Sequence, residues 1–204
     1  MAVILSFRSA RLLNDINEDE IASLIERYGR PKKLSFKTNF LNFECNLIRR
    51  SKQKGRFHDV TCFIQHPNGG YVVIQKQQYA RSGIYRAPSG GSHKGESLED
   101  AAIREMHEET GLNVKIGKFV LDISLDIICE SECIPWRSLV FLAEPLGGEM
   151  RPIDTHEIFD VKILTREELL GNVDKLMNES GWGGFAYRSF LTREFFKTID
   201  RLHI

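Results

Sequence analysis

The 204-residue sequence predicts an α/β protein of the α+β kind: a sandwich built on a mixed β-sheet, preceded by a helix-plus-strand extension. Three observations point there. Runs alternating apolar and polar residues, the period of a half-buried strand, stand on both sides of one central helical segment and not in a repeated strand–helix array. Pro67-Asn68-Gly69-Gly70 is a strong turn between two β-rich runs. Two helical segments close the chain, whose length suits one main domain with an appendage.

The elements follow in order. In NDINEDEIASLIERYG, Asn14 or Asn17 offers a cap, Ile21, Leu24 and Ile25 recur at helical spacing, and Gly29-Arg30-Pro31 ends the helix. KLSFKTNFLNFECNLI reads as one or two strands and RRSKQKGR as a basic link. A boundary is therefore set near Lys54, with residues 1–54 an N-terminal extension and 55–204 the main domain. HDVTCFIQH and YVVIQKQQ flank the turn, and YARSGIYRAPSGG is a loop. Ser97 with Asp100 resembles a capping box and Gly111 suits a left-handed C-cap, so the central helix spans Leu98 to Thr110. NVKIGKFVLDISLDIIC, WRSLVFLAEPL and EIFDVKIL read as strands. TREELLGNVDKLM and RSFLTREFFKTIDRL read as helices separated by the loop NESGWGGFAYR.

The 28 basic and 28 acidic residues balance, which excludes the broad positive field of non-specific nucleic-acid or anionic-membrane binding. Any polyanionic ligand has to be recognised locally. No stretch reaches the roughly 20 apolar residues of a membrane span, and the apolar start lacks the basic region of a secretory signal. Cys45, Cys62, Cys129 and Cys133 lack the pairing of a zinc site and are too sparse for a disulfide scaffold, so a reducing cytoplasm is the expected compartment. Cys129 and Cys133 are expected as two thiols near a hairpin tip, with a metal or a local disulfide at CESEC the minor alternative.

On the central helix, Glu105, Glu108 and Glu109 fall within an arc of roughly 100°. Such crowding destabilises a helix by about 0.2–0.5 kcal/mol per like-charged pair, and something must offset it. Ala102, Ile103 and Met106 form an apolar flank suited to packing on a sheet. The preceding PSGGSHKG carries glycines that let backbone approach a ligand closely. Carboxylates beside such a loop suit the hard cations Mg²⁺ and Mn²⁺. Rival motifs fail at single residues: Glu96 stands where a P-loop needs lysine, and Gly111 and Asp160 stand where a zinc-protease helix needs its second histidine. Nor do the acids have the alternating spacing of an EF-hand loop.

Gly90, five residues, Glu96, seven residues and then REMHEETGL resembles the Nudix box. Every fixed letter is present, with Met106 and Leu112 at its two apolar positions. The resemblance implies a Nudix-type α/β/α sandwich and divalent-metal-dependent hydrolysis of a nucleoside diphosphate linked to another moiety. ADP-ribose or a nucleotide sugar is preferred as substrate over a nucleoside triphosphate; a non-catalytic nucleotide sensor is the third reading, against which the intact box argues.

By position in the box, Glu105 and Glu109 are the implied main ligands of Mg²⁺ or Mn²⁺. Glu108 is a further ligand or the base that activates water, and the carbonyl of Ser89 or Gly90 completes the shell. Glu96 and Arg104 are implied as an ion pair that orients the glutamates. Outside the box, Glu157 is the preferred catalytic base, with Glu149, Asp154 and Glu132 behind it; His156 and His93 are candidates for phosphate contact. Lys76, Gln78, Arg81 and Arg86 are candidates to grip the diphosphate or ribose, and Trp182 or Phe185 to stack on a base. The implied partner is a small-molecule nucleotide, with no nucleic acid and no membrane. The extension resembles in placement the strands through which ADP-ribose pyrophosphatases dimerise, which implies a homodimer. Substrate markers beyond the box are absent: the position of the ADP-ribose-type proline is Ile127.

Overall fold

Asn17 opens α1 (Glu18–Tyr28) by accepting the N–H of Asp19 on its side chain at 2.9 Å, and Gly29 closes the helix. The structure, a computed structural model, describes residues 16–202; Asn14 and the apolar start lie outside them. After β1 (Lys32–Asn39), residues 42–53 correct the sequence reading, because they form the helix α2 (Asn42–Gln53) and not a second strand and a link. Glu44 shows why. Its buried carboxylate accepts the Leu41 N–H at 2.9 Å and the N–H groups of Gly183 and Gly184 at 3.1 and 2.8 Å. One side chain thereby caps the starts of two helices.

The remaining strands are β2 (His58–Gln65), β3 (Tyr71–Lys76), β4 (Ser89–Gly90), β5 (Leu112–Cys129), β6 (Glu132–Gly148) and β7 (Ile158–Leu164). With β1 they form one mixed seven-stranded sheet in the order β1-β5-β6-β2-β3-β7, with β4 on β2. β1 runs parallel to β5 and β2 parallel to β6, while β5 and β6 form a long antiparallel hairpin. β2 and β3 pair only beside their turn, at Ile64↔Val72 and Gln65↔Tyr71, and then part. Ser89 and Gly90 take up the free edge of β2 opposite Thr61 and Val60, and Ile74 pairs with Arg86. This split holds the Ser89–Gly90 backbone in place.

α1 and α3 (Leu98–Thr110) cover one face of the sheet. On α3, Ser97 accepts the Asp100 N–H and Gly111, at φ 76°, closes the last turn in the left-handed conformation. Leu98, Ala101, Ala102 and Met106 are buried in that layer's core. At about 1.5–3 kcal/mol for each fully buried Leu or Met, this packing outweighs the mutual repulsion of the glutamates. The other face carries α2, α4 (Arg166–Glu168), a π-turn at Leu169–Val173, α5 (Asp174–Glu179) and α6 (Gly183–Leu202). α6 starts before Arg188, so most of the expected Trp182 loop is helix.

The expectation of unpaired thiols is also corrected: Cys45 on α2 is bonded to Cys129 at the end of β5. Cys133 is not placed for that role. The register sets it opposite Ile128 while Cys129 faces Glu132, and successive strand positions point to opposite faces. Cys62 is a buried free thiol. Among the described residues no helix is long and apolar enough to cross a membrane.

Candidate active site

β4 runs directly over the acidic helix. The Ser89 N–H donates to Glu109 Oε2 at 2.7 Å and the Gly91 N–H donates to Glu105 Oε1 at 3.3 Å, so two carboxylates of α3 bracket the Ser89–Gly90 backbone. Gly90 makes the approach sterically feasible. A Cβ there would lie 1.8 Å from Cδ of Glu105. Burial first, and then repulsion from Glu109, push the Glu105 carboxyl above the ordinary carboxylate range, against the opposing pull of Arg104.

Arg104 ties the rest of the helix face together. Its Nε and Nη2 donate to the two oxygens of Glu96 at 2.8 and 2.9 Å, and Nη2 also reaches the Gly91 carbonyl at 3.0 Å. Nη1 lies 3.0 Å from both Glu105 and Glu108. The two-pronged hydrogen bond from Arg104 holds the Glu96 carboxyl far down, at about 2. Glu108 is the most open of the three helix-face acids, its side chain 45% exposed against 4% for Glu109.

Glu157 reaches this region because the 150–157 loop docks on the end of α3. The N–H groups of Ile153 and Asp154 donate to the Glu108 carbonyl, each at 3.0 Å, and that of Arg151 to the Thr110 carbonyl. Asp154 then accepts the N–H groups of His156 and Glu157. Lys76 sits between the two acids, ion-paired with Glu157 and 3.3 Å from Glu109. Burial works to raise the Glu157 carboxyl, but the charge and hydrogen bond of Lys76, with Arg86 behind, hold it below the ordinary range.

Behind β4 lies a cavity of about 270 Å³ whose lining includes Lys76, Gln78, Arg86, Ser89, Gly90 and Trp182. Among the lining residues that escaped the sequence reading are Phe43, Arg56, Asp59, Tyr79 and Arg188. Arg86 and Arg188 both donate to Ser89 Oγ, at 2.7 and 2.9 Å. Arg188 also reaches Asp59 at 2.7 Å and Thr61 at 2.9 Å. Trp182 stacks on Phe185 at 4.8 Å and meets Phe43 edge-on at 4.6 Å; both Trp182 and the buried Phe185 line the cavity. No motif marks Arg188, which enters from α6, far along the chain. Tyr79 was within reach of sequence reasoning, three residues beyond Lys76.

Other candidates are placed elsewhere. Arg81 is exposed and lines no part of the cavity, its N–H bound by the Gln75 side chain. Glu132 pairs with Arg49 and Lys52 at the β5–β6 tip, and Glu149 pairs with Arg151. His93 and His156 line a groove next to the cavity.

Among the described residues no three His, Cys, Asp or Glu side chains close on one point. The oxygen donors at hand are Glu105 and Glu109 with the backbone they bracket, and an all-oxygen set of this kind, part buried and part open, fits a hard divalent cation.

The family model of the NUDIX domain matches residues 55–181. Among similar proteins, the human "NAD-capped RNA hydrolase NUDT12" is 30% identical over 115 residues, 54% of this chain and 22% of its own length. The "ADP-ribose pyrophosphatase" of Methanocaldococcus jannaschii is 32% identical over 100 residues, 47% of this chain and 57% of its own. The chain thus spans under a quarter of the first relative's length and somewhat over half of the second's. A solved NUDIX hydrolase from Nitrosomonas europaea aligns with TM-score 0.48 at 18% identity, covering 61% of this chain and 88% of that one.

Proposed function

The chain belongs to the Nudix family, and from that premise we propose that it is a divalent-metal-dependent pyrophosphohydrolase. Its substrate is a nucleoside diphosphate linked to another moiety, ADP-ribose or a nucleotide sugar foremost. One observation carries this reading: Glu105 and Glu109 bracket the Ser89–Gly90 backbone at the edge of a cavity that offers Lys76, Arg86 and Arg188 on one side and aromatic rings on another. Carboxylates, fixed cations and ring walls together match the parts of a nucleotide diphosphate.

Glu105 and Glu109, with a carbonyl of Ser89 or Gly90 and with Glu108 as a further ligand, would hold Mg²⁺ or Mn²⁺. Such an ion offsets the charge of the phosphate oxygens and acidifies water. Glu96 positions this set through Arg104, whose remaining donors point at Glu105 and Glu108. Arg86 and Arg188, converging on Ser89 Oγ, supply positive charge to the diphosphate. Trp182, Phe43 and Tyr79 supply faces for a base. Glu157, kept ionised by Lys76, is the proton acceptor for the attacking water, and Glu108 is the alternative base.

The test is a hydrolysis screen with Mg²⁺ and Mn²⁺ over ADP-ribose, sugar nucleotides, dinucleotides, coenzyme A and triphosphates. At least one diphosphate-linked nucleotide should turn over, with activity abolished by a chelator and restored by the ion. Glu109→Gln should cost more than the 10–100-fold typical of groups that only orient ligands while the variant stays folded. Tight binding without turnover of any compound refutes the hydrolase reading.

A further inference from the structure

The cavity continues beside α2 into a groove of about 720 Å³ lined by Arg50, Lys54, Arg56 and Lys94 among others. The two spaces share Leu47, Ser51, Arg56, Lys76 and Gln78, so a ligand seated in one reaches the other. The groove's single acid, Glu157, is already paired with Lys76. Arg50, Lys54, Arg56 and Lys94 have no carboxylate partner among the described residues. Arg49 and Lys52 on α2 do, sharing the single carboxylate of Glu132. In a chain with no net charge, four unneutralised cations on one groove are a local, specific excess.

Arg56 is held in position. It donates to Ser51 Oγ at 3.1 Å, and its stem lies so close to Gly91 that a Cβ there would come within 2.2 Å of Arg56 Cδ. The basic wall therefore adjoins the segment whose N–H groups meet Glu105 and Glu109. Arg50 and Lys54 lie before residue 55, outside the span matched to the family.

Resting on the pyrophosphohydrolase reading, we propose that this groove binds a second phosphate group of the substrate, a phosphomonoester carried by a small nucleotide away from the scissile diphosphate. A doubly charged monoester suits a short cluster of unpaired Arg and Lys donors. A long nucleic acid calls for an extended positive field along its backbone, and the balanced charge of this chain favours the small ligand.

Pairs of compounds differing by one phosphomonoester test this: ADP-ribose against ADP-ribose 2′-phosphate, and dephospho-coenzyme A against coenzyme A. Both kcat/KM and calorimetric Kd are measured, for the natural chain and for an Arg50→Ala/Lys54→Ala variant shown by circular dichroism to be folded. In at least one pair the phosphorylated member should be preferred by about tenfold, the scale of a charge-assisted contact. The variant should bring that ratio close to one. No preference in either pair, or a preference untouched by the variant, overturns the proposal. A stronger, variant-sensitive preference for a diphosphate-capped oligonucleotide overturns it in favour of an RNA end. Turnover of the unphosphorylated members reports on the hydrolase reading alone, and the Kd ratio tests the groove even where nothing turns over.

Discussion

Glu96 shows how one residue's titration reports on the site. Its carboxyl lies at about 2 in the folded chain, chiefly because Arg104 donates two hydrogen bonds to it, against an ordinary glutamate near 4.3. The folded value is the lower one, so the stabilisation is complete above about pH 4.5 and is lost as pH falls towards 2. Glu96→Gln should therefore cost about 1–2 kcal/mol at pH 7, allowing for solvent screening, and close to nothing near pH 2. Urea unfolding at pH 7, 4 and 2.5 checks it; a pH-independent difference would separate Glu96 from this pairing. The acids of this helix were readable from the sequence because Glu105, Glu108 and Glu109 share a face by helical spacing alone. The box resemblance implied the Glu96–Arg104 pair; that the same guanidinium lies 3.0 Å from both Glu105 and Glu108 was decided by rotamers and loop path.

At the scale of elements, the helix Leu98–Thr110 was readable to its ends because Ser97 and Gly111 are local stop signals. α2 was not. Alternation in β1 runs on through Phe40 and masks the helical spacing of Cys45 with Ile48 and of Phe43 with Leu47. The signal that Glu44 reaches back to Leu41 becomes decisive only when α6 brings Gly183 and Gly184 to the same carboxylate. The Cys45–Cys129 bond fastens this helix to β5 across 84 residues of chain. Reduction should destabilise the protein by about 2–4 kcal/mol through the regained freedom of the unfolded chain. Denaturant melts with and without reductant, on a background carrying Cys62→Ser and Cys133→Ser, isolate this bond. An unchanged midpoint would count against it. Burial pushes the Cys62 thiol to about 12, so it is poorly reactive in the folded chain.

At the scale of the whole molecule, Arg188 joins parts that the sequence keeps far apart: Asp59 and Thr61 on β2, Ser89 on β4 and its own helix α6. Arg188→Lys keeps a charge against the buried Asp59 but loses the planar fork. It should lower kcat/KM about tenfold with little change in melting temperature. Arg188→Ala should add a loss of about 1–3 kcal/mol in stability by weakening the satisfaction of Asp59. Steady-state kinetics beside thermal melts separates the two effects, and normal kinetics in Arg188→Lys would remove this residue from substrate binding. By itself the sequence determined the acidic helix, its caps, the glycine before it and the family, because those depend on spacings within one turn or one loop. Only the tertiary structure decided which cations and rings line the cavity behind β4. Residues 43, 56, 79, 86, 182 and 188 meet through packing across the sheet, and no periodicity in the chain records a contact made that way.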